Sequence, residues 1–339
     1  MSLIERRNAQ SRERARRGLL IASFASALSG CSGVQSALDP AGSEAEKVAT
    51  LFLVMVVGGA MAWILVVGLL AHALNRNGPA LDEKKAGKLI FWGGAFLPTT
   101  TLAALLAYAL WLMPFLRPWS PAGATDTLKI EVVGEQYWWR VTYLLPDGRN
   151  VVSANEIRVP VGERVTFTLQ AKDVIHSFWI PPFAGKMDMI PGRTNRLTIE
   201  ANRAGTFRGA CAEYCGTSHA LMAFPAVAME ADDFRSWLDA RTVPSPNVEG
   251  RGRDLFLSHG CGACHTVQGT GARGVIGPDL SHIGSRLALG AGVLEISQEQ
   301  IARFISNPAA VKPGARMPAF GMLPPDDIRA IAVWLEGLK

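Results

Sequence analysis

The sequence predicts a multi-domain protein in which a two-helix transmembrane hairpin precedes an all-β sandwich and then a small all-α domain. Three observations predict this order. Two long uncharged runs lie near the N-terminus, short β-branched runs separated by turn residues follow, and amphipathic helical patterns come last. The length of 339 residues leaves room for membrane segments and two modest domains. A hydrophobic share of 49% with 19% charged residues also favours membrane spans.

The segment 1–30 is predicted to be a signal peptide. Arginines crowd positions 6–17, and the short apolar stretch Gly18–Leu28 is followed by small residues and Cys31. That stretch is typical of a secretory signal because it is too short to span a membrane as a helix. Its end is similar to a bacterial lipoprotein signal, in which Cys31 becomes the lipidated first residue; an ordinary signal with an incidental cysteine is the alternative. The basic cluster thus indicates targeting, and no nucleic-acid partner is predicted.

Two membrane-spanning helices are predicted within residues 31–125. Val48–Ala71 is a run of 24 residues without a charge, and Leu89–Leu116 is a second run of 28. Each is long enough to cross a hydrocarbon core of about 30 Å. The intervening loop carries four basic residues, Arg76, Lys84, Lys85 and Lys88. The positive-inside bias places this loop in the cytoplasm and the rest of the chain on the outer side.

Residues 126–240 are predicted to form the β domain. Leu128–Val133, Arg164–Leu169 and Arg196–Glu200 are rich in β-branched residues, and turn signals such as Pro191-Gly192 separate such runs. Closely spaced strands of this kind favour an antiparallel sandwich or barrel.

The remaining residues are predicted to form a linker, 241–249, and a helical domain, 250–339. Pro244 and Pro246 indicate the linker. Helical patterns cover Gly252–Ser258, Gln298–Ser306 and Pro325–Leu338.

One segment of 12 residues gathers metal-binding side chains, namely Cys211, Cys215, His219 and Met222. His176 lies 35 positions before the first of them, at the edge of a predicted strand. Soft sulfur with imidazole favours copper over calcium or magnesium. The spacing matches a binuclear CuA site, in which the two cysteines bridge, each histidine caps one copper, and Met222 and the Glu213 carbonyl are weak outer ligands.

The cysteines are also compatible with other sites. A disulfide or a structural zinc site would use the same residue types, and a one-copper site would leave Cys215 surplus. Two bridging thiolates let one electron spread over both metals, so the CuA reading predicts electron transfer without bond chemistry.

Cys261-Gly262-Ala263-Cys264-His265 is the attachment signature of c-type haem. Two thiols one turn apart can each bond a vinyl group, and His265 can reach the iron. A thioredoxin-like redox pair needs no histidine and sits near a βαβ pattern, which is missing here. The predicted sixth iron ligand is Met317, with Met322 as the competing candidate.

Together, the hairpin and three motifs resemble cytochrome c oxidase subunit II from about residue 45 to 235. The motifs are Gly134-Glu135-Gln136-Tyr137-Trp138-Trp139, Asp173-Val174-Ile175-His176 and Met189-Ile190-Pro191-Gly192-Arg193. The last 90 residues resemble a class I cytochrome c, with Gly277-Pro278-Asp279-Leu280 after the haem motif. The resemblance implies a cupredoxin fold and a helical cytochrome c domain. It also implies a Glu213 side chain that helps bind magnesium, and docking on oxidase subunits I and III.

The implied function is that of an electron-transfer subunit of a haem-copper terminal oxidase in the bacterial inner membrane, with its C-terminal domains on the periplasmic side. Electrons from an external donor, such as cytochrome c or a cytochrome bc complex, pass through haem c and CuA to subunit I, where dioxygen is reduced to water with proton pumping. This chain carries no catalytic residue. The alternative is the CuA subunit of a nitric oxide reductase; six histidines are too few for nitrous oxide reductase.

Two positions depart from the family pattern. Where the family usually has a tryptophan through which electrons enter, this sequence has Tyr137, with Trp138 next to it. Both are predicted for that role. Many members also place a proton-path glutamate where this chain has Phe91.

Overall fold

Two long apolar helices form the N-terminal part of the computed structural model, which describes residues 31–75, 82–116 and 128–339. Helix α1 is Ser43–Asn75, and helix α2 is Glu83–Leu112, followed by a 3₁₀ turn at Met113–Leu116. Both are long and apolar enough to cross a membrane, and the most apolar window of each contains no buried residue. The predicted hairpin helices are therefore confirmed, while the predicted signal peptide lies outside the described residues.

Helix α2 is π-helical over Ile90–Phe96. The widened turn ends two residues before Pro98, which has no N–H and whose ring crowds the carbonyl four residues earlier. Pro98 thus lies next to the irregular turn of this helix.

The β domain is a sandwich of two five-stranded sheets. In chain order the strands are β1 Leu128–Glu135, β2 Trp138–Leu144, β3 Asn150–Ala154, β4 Ile157–Pro160, β5 Arg164–Ala171, β6 His176–Trp179, β7 Met187–Met189, β8 Asn195–Glu200, β9 Gly205–Cys211 and β10 Ala223–Met229. One sheet has the order β3-β2-β1-β5-β8 and the other β4-β10-β9-β6-β7. The predicted cupredoxin-like sandwich is confirmed.

The prediction of an antiparallel sandwich is wrong for two strand pairs. Strand β1 pairs with β5 in parallel, and so does β10 with β4. The reason is topological, because the chain crosses between sheets and returns to each in the same direction. Side-chain alternation is the same in both arrangements and does not reveal strand direction.

The centre of the sandwich is an aromatic cluster. Trp139 packs with its ring centroid 5.9 Å from that of Phe178 and 5.3 Å from that of Phe224, and the last two rings stack at 5.1 Å. All three side chains are fully or almost fully buried. Gly209 on β9 lets Phe224 approach, since a Cβ there would lie 2.1 Å from the Phe224 ring. This core fixes β6 and β9, which carry His176 and Cys211, and β10, which follows the loop with the other predicted ligands.

After the sandwich come five helices, α3 Ala231–Ala240, α4 Arg251–Ser258, α5 Gln298–Ser306, α6 Pro308–Val311 and α7 Pro325–Gly337. Helix α3 packs on the sandwich through Phe234 and Leu238, whereas α4, α5 and α7 surround a separate core. Gly252 lets α4 approach α7, because a Cβ there would lie 2.3 Å from Trp334 Cβ. This helical unit confirms the predicted all-α part of the fold.

Candidate copper and haem sites

Strand pairing explains how the first set of predicted ligands comes together. His176 is the first residue of β6 and Cys211 the last of β9, and these strands pair with Phe178 opposite Cys211. The loop from β9 to β10 then carries Cys215, His219 and Met222 back across the same end of the sheet. Two strands and one loop thus bring together residues that are 46 positions apart at most, from 176 to 222.

The donor atoms of this cluster lie within contact of one another. The Sγ atoms of Cys211 and Cys215 are 3.9 Å apart. Cys211 Sγ lies 3.8 Å from His176 Nδ1 and 3.2 Å from the Glu213 carbonyl oxygen. Cys215 Sγ lies 3.7 Å from His219 Nδ1 and 3.8 Å from the Met222 sulfur. Each thiol therefore has its own imidazole and its own weaker donor.

The two thiols affect each other's pKa in opposite directions. Donation from Cys215 Sγ–H, followed by the imidazole of His176, lowers the pKa of Cys211 well below its usual range. The hydrogen bond to Cys211 and burial raise the pKa of Cys215. One thiolate thus forms readily at neutral pH, and a metal ion that displaces the second proton completes the pair.

His176 is oriented by Asp173. Its Nε2 lies 2.9 Å from Asp173 Oδ1, so Nε2–H donates to the carboxylate and Nδ1 faces Cys211. Burial acts to raise the pKa of Asp173, but donation from the Gln136 backbone N–H and from His176 lowers it overall. Burial acts to lower the pKa of His176, but Cys211 and Asp173 raise it overall. A carboxylate behind a ligating imidazole is the usual outer-shell arrangement of metal sites.

This geometry fits copper held by two bridging thiolates. Metal–thiolate bonds of about 2.3 Å allow two sulfurs that share an ion to lie up to about 4.6 Å apart, and 3.9 Å satisfies that limit. A disulfide requires about 2.05 Å, which this separation excludes for the described structure. His176 and both cysteines are buried, with 0%, 7% and 3% of their surface exposed. Soft donors in a dry site favour copper.

The Glu213 side chain points away from the sulfurs. Its carboxylate lies 3.6 Å from Lys186 Nζ and is 45% exposed. The backbone carbonyl and the carboxylate of this residue therefore face two different environments, the first towards Cys211 and the second towards solvent.

The second set of predicted ligands lines an apolar cavity of about 260 Å³. Cys261, Cys264 and His265 lie on one part of its wall, and Met317 lies on another. His265 Nδ1 is 2.7 Å from the Pro278 carbonyl oxygen, so Nδ1–H donates to it and Nε2 is left for a metal. Gly277 permits this approach, since a Cβ there would lie 2.5 Å from the imidazole. Burial lowers the pKa of His265, which keeps the ring neutral.

Of the two methionines that could ligate the iron, only Met317 lines the cavity. Met317 lines the cavity and packs against the helical core. Met322 is 78% exposed, and the residues that line the cavity do not include it. The position of Met317 matches the predicted sixth ligand.

The cavity is closed on one side by the sandwich. Tyr137 and Trp138 are among its lining residues. The Tyr137 hydroxyl accepts a 3.0 Å hydrogen bond from the Thr217 backbone N–H, in the loop between Cys215 and His219. The ring also lies beside Gly314 in the helical unit, where a Cβ would be 3.2 Å away. Tyr137 thus contacts both the metal-binding loop and the wall of the cavity.

Polar contacts hold the helical unit on the sandwich. Arg316, next to Met317, lies 3.2 Å from Asp173 Oδ2. Ser218 Oγ donates to the Pro313 carbonyl at 2.5 Å. The structure therefore joins the two sites through a continuous chain of contacts.

Comparison with known proteins agrees with this architecture. The family described as "Cytochrome C oxidase subunit II, periplasmic domain" matches residues 144–230, and the family described as "Cytochrome c" matches residues 250–339. Cytochrome c oxidase subunit 2 of Alkalihalophilus pseudofirmus is 32% identical over 328 residues, which cover 92% of this chain and 94% of the relative. The chain belongs to the cytochrome c oxidase subunit 2 family.

A second relative has the same name. Cytochrome c oxidase subunit 2 of Bacillus subtilis is 31% identical over 352 residues, covering 95% of this chain and 97% of the relative. Among solved structures, the periplasmic domain of subunit II of cytochrome oxidase of Bradyrhizobium japonicum is 33% identical, with a TM-score of 0.31 and coverage of 34% of this chain and 93% of that chain. Membership of an oxidase subunit family, with a copper-type and a cytochrome c domain, supports an electron-transfer role, with copper and haem as cofactors and other oxidase subunits as partners.

Sequence reasoning missed three residues near the sites. Asp173 was noted only as part of a motif, although its carboxylate orients His176. Arg316 and Lys312 stand in no sequence pattern that predicts a role for them. For Asp173 the signal was available, because an acidic residue three positions before a predicted ligand can orient it.

Proposed function

We propose that this chain is the subunit of a haem-copper terminal oxidase that carries electrons from an external donor, through haem c and binuclear CuA, to subunit I. There dioxygen is reduced to water with proton pumping. The supporting observation is the pair of buried thiols 3.9 Å apart, each with its own imidazole, beside a cavity lined by a c-type haem motif. Each bound group supplies storage of one electron without making or breaking bonds.

For copper, we propose Cys211 and Cys215 as bridging ligands, His176 and His219 through Nδ1, and Met222 and the Glu213 carbonyl as weak ligands. The distances given above support this set. Replacing Cys215 with serine is expected to abolish the mixed-valence copper EPR signal. A wild-type signal in that variant would refute the bridging role.

For haem, we propose thioether bonds to Cys261 and Cys264 and axial ligation by His265 and Met317. Support comes from the free His265 Nε2 and from the position of Met317 in the cavity wall. Met317→Leu is expected to remove the weak sulfur-to-iron absorption band, whereas Met322→Leu is expected to keep it. The opposite pattern would assign the ligand to Met322.

We further propose Tyr137 as the side chain through which the copper site receives electrons, with Trp138 beside it. The Tyr137 hydroxyl contacts the metal-binding loop while its ring faces the helical unit. Trp138 is half-buried, and the Arg140 guanidinium lies 4.7 Å from its ring centroid. Magnesium binding by the Glu213 side chain stays a prediction, for which a partner subunit has to supply further oxygen ligands.

In the proposed topology, residues 31–125 form the membrane hairpin of a bacterial inner-membrane protein. The CuA domain at 126–240, the linker at 241–249 and the haem domain at 250–339 lie on the periplasmic side. Cys31 is exposed, as lipidation after removal of residues 1–30 requires. Labelling with a lipid precursor tests this, since an unlabelled mature chain excludes lipidation.

The experiment that tests the function as a whole is a comparison of two substrates. The purified membrane complex is given reduced cytochrome c, and consumption of dioxygen and of nitric oxide is measured. Rapid, cyanide-sensitive dioxygen uptake is expected. Dominant nitric oxide consumption with little dioxygen uptake would assign the chain, with the same electron-transfer role, to a nitric oxide reductase.

A further inference from the structure

Four cationic side chains line the apolar cavity beside the haem motif, and three of them have acidic neighbours in the protein. The four are Lys172, Arg286, Lys312 and Arg316. Lys172 pairs with Glu135 at 3.0 Å, and Arg316 pairs with Asp173 at 3.2 Å. Arg286 interacts electrostatically with the carboxylates of Asp279 and Glu156. Among the described residues, no carboxylate pairs with the fourth cation.

Lys312 is that fourth cation. It follows helix α6 directly and has only 3% of its surface exposed. Its Nζ donates to one acceptor, the Gly290 carbonyl oxygen, at 2.7 Å. An ammonium group has three N–H donors, so two of them find no acceptor among the described residues. A buried ammonium without a counter-ion is costly, which indicates that an anion belongs beside it.

The chemistry of the cavity identifies this anion. Haem is a largely apolar macrocycle that carries two carboxylates, and the cavity offers an apolar wall with a buried cation. We infer that the Lys312 ammonium binds a propionate carboxylate of the haem attached at Cys261 and Cys264. The inference rests on the proposed haem attachment. Burial lowers the pKa of Lys312 to about 7, and a propionate partner would oppose that shift by stabilising the charged form.

One other acidic group acts on Lys312, namely Cys215, whose thiolate forms when a metal ion displaces its proton. If Lys312 served the copper site instead, its charge would tune the copper potential and leave the haem potential nearly unchanged. A cation favours the reduced form of whichever centre it faces, because reduction adds one negative charge. The two assignments therefore differ in which potential responds.

The experiment uses the full-length chain in its purified complex, with redox titration of haem c and CuA by their separate absorption bands. Lys312→Gln removes the charge but keeps a donor for the Gly290 carbonyl, and Lys312→Arg keeps the charge. The matched control is Lys172→Gln, which removes a paired, half-exposed lysine of the same cavity. Haem staining of the denatured chain and a thermal unfolding scan show first that each variant carries haem and is folded.

In Lys312→Gln, the ratio of reduced to oxidised haem c at a fixed ambient potential is expected to fall about tenfold. This is the size expected for a unit charge on the order of 10 Å from the iron at an effective dielectric constant of about 20. Lys312→Arg is expected to restore most of the ratio, and Lys172→Gln to change it less.

An unchanged haem ratio in folded, haem-bearing Lys312→Gln would overturn the inference. A shift confined to copper would overturn it as well, and would assign the lysine to Cys215. A wild-type chain without covalent haem would instead refute the proposed function, so the two failures are distinguishable.

Discussion

Replacing Asp173 with asparagine tests whether the carboxylate behind His176 holds the copper site together. Its two oxygens accept four N–H groups. Oδ1 accepts from His176 Nε2 at 2.9 Å and from the Val174 backbone N–H at 2.8 Å. Oδ2 accepts from the Gln136 backbone N–H at 2.8 Å and from Arg316 at 3.2 Å. An asparagine in the same position has one oxygen and one NH₂, so its NH₂ group faces two donors whichever way it is turned.

The expected loss is worked from these contacts. Each unpaired, partly buried N–H costs about 1–3 kcal/mol, and loss of an outer-shell partner typically lowers metal affinity about 10–100-fold. If the NH₂ group faces His176, the imidazole loses its orientation; if it faces Gln136, the loop is destabilised. Copper affinity in Asp173→Asn is therefore expected to fall by about 10–100-fold, equivalent to about 1.4–2.8 kcal/mol.

The assay is competition for copper between the protein and a chelator of known affinity, followed through the copper absorption band. Asp147→Asn is the matched control, because Asp147 also accepts two hydrogen bonds, from Arg149, but lies in an exposed turn. The control is expected to keep wild-type affinity. Wild-type affinity in Asp173→Asn would show that the carboxylate is dispensable and would refute the reasoning.

Three more predictions concern stability and docking. Burial, with Arg241 and Arg286, lowers the pKa of His282 to about 4, so its neutral form contributes stability above the usual pKa of about 6.5 that is lost as pH falls to 4. Over that range the free energy of unfolding of the wild type, measured in urea, should fall by up to about 1.4 kcal/mol per pH unit more than that of His282→Asn, and equal slopes would count against this. Gly209→Ala should destabilise the sandwich by about 1–3 kcal/mol in the same assay, because its Cβ would overlap the Phe224 ring, whereas Gly185→Ala, which has open space, should not. Arg316→Gln should slow haem-to-copper electron transfer in flash photolysis and make the rate less sensitive to salt; an unchanged salt dependence would show that this ion pair does not guide docking.

The sequence predicted the elements and ligand types that short patterns encode. Uncharged runs predicted both long helices, and the spacing of Cys211, Cys215, His219 and Met222 placed four donors within one segment of 12 residues. The position of His176 at the edge of a predicted strand did not by itself bring it to the cysteines, since strand pairing decides that approach. Parallel pairing of β1 with β5 could not be predicted, because alternation of buried and exposed residues carries no information on direction.

Contacts between the two soluble units were beyond sequence reasoning for a different physical reason. Arg316 and Asp173 are 143 positions apart, and neither belongs to a pattern that refers to the other. Lysine is ordinarily a surface residue, and only the structure shows that Lys312 is buried. The partners and burial of such charged residues are set by packing between domains, which local sequence periodicity does not describe.

Packing of residues 241–249 explains how modest contacts can hold the haem unit in place. These residues do not behave as a free tether, since Ser245 is 2% exposed and Asn247 Nδ2 donates to the Gly337 carbonyl at 3.0 Å. Partly exposed ion pairs such as Arg316–Asp173 contribute only about 0–1 kcal/mol each. A short connection raises the effective concentration of one unit at the other to the millimolar range or above, so a few such contacts suffice for docking. The connection is itself packed on the haem unit, and in this docked arrangement Tyr137 lines the cavity.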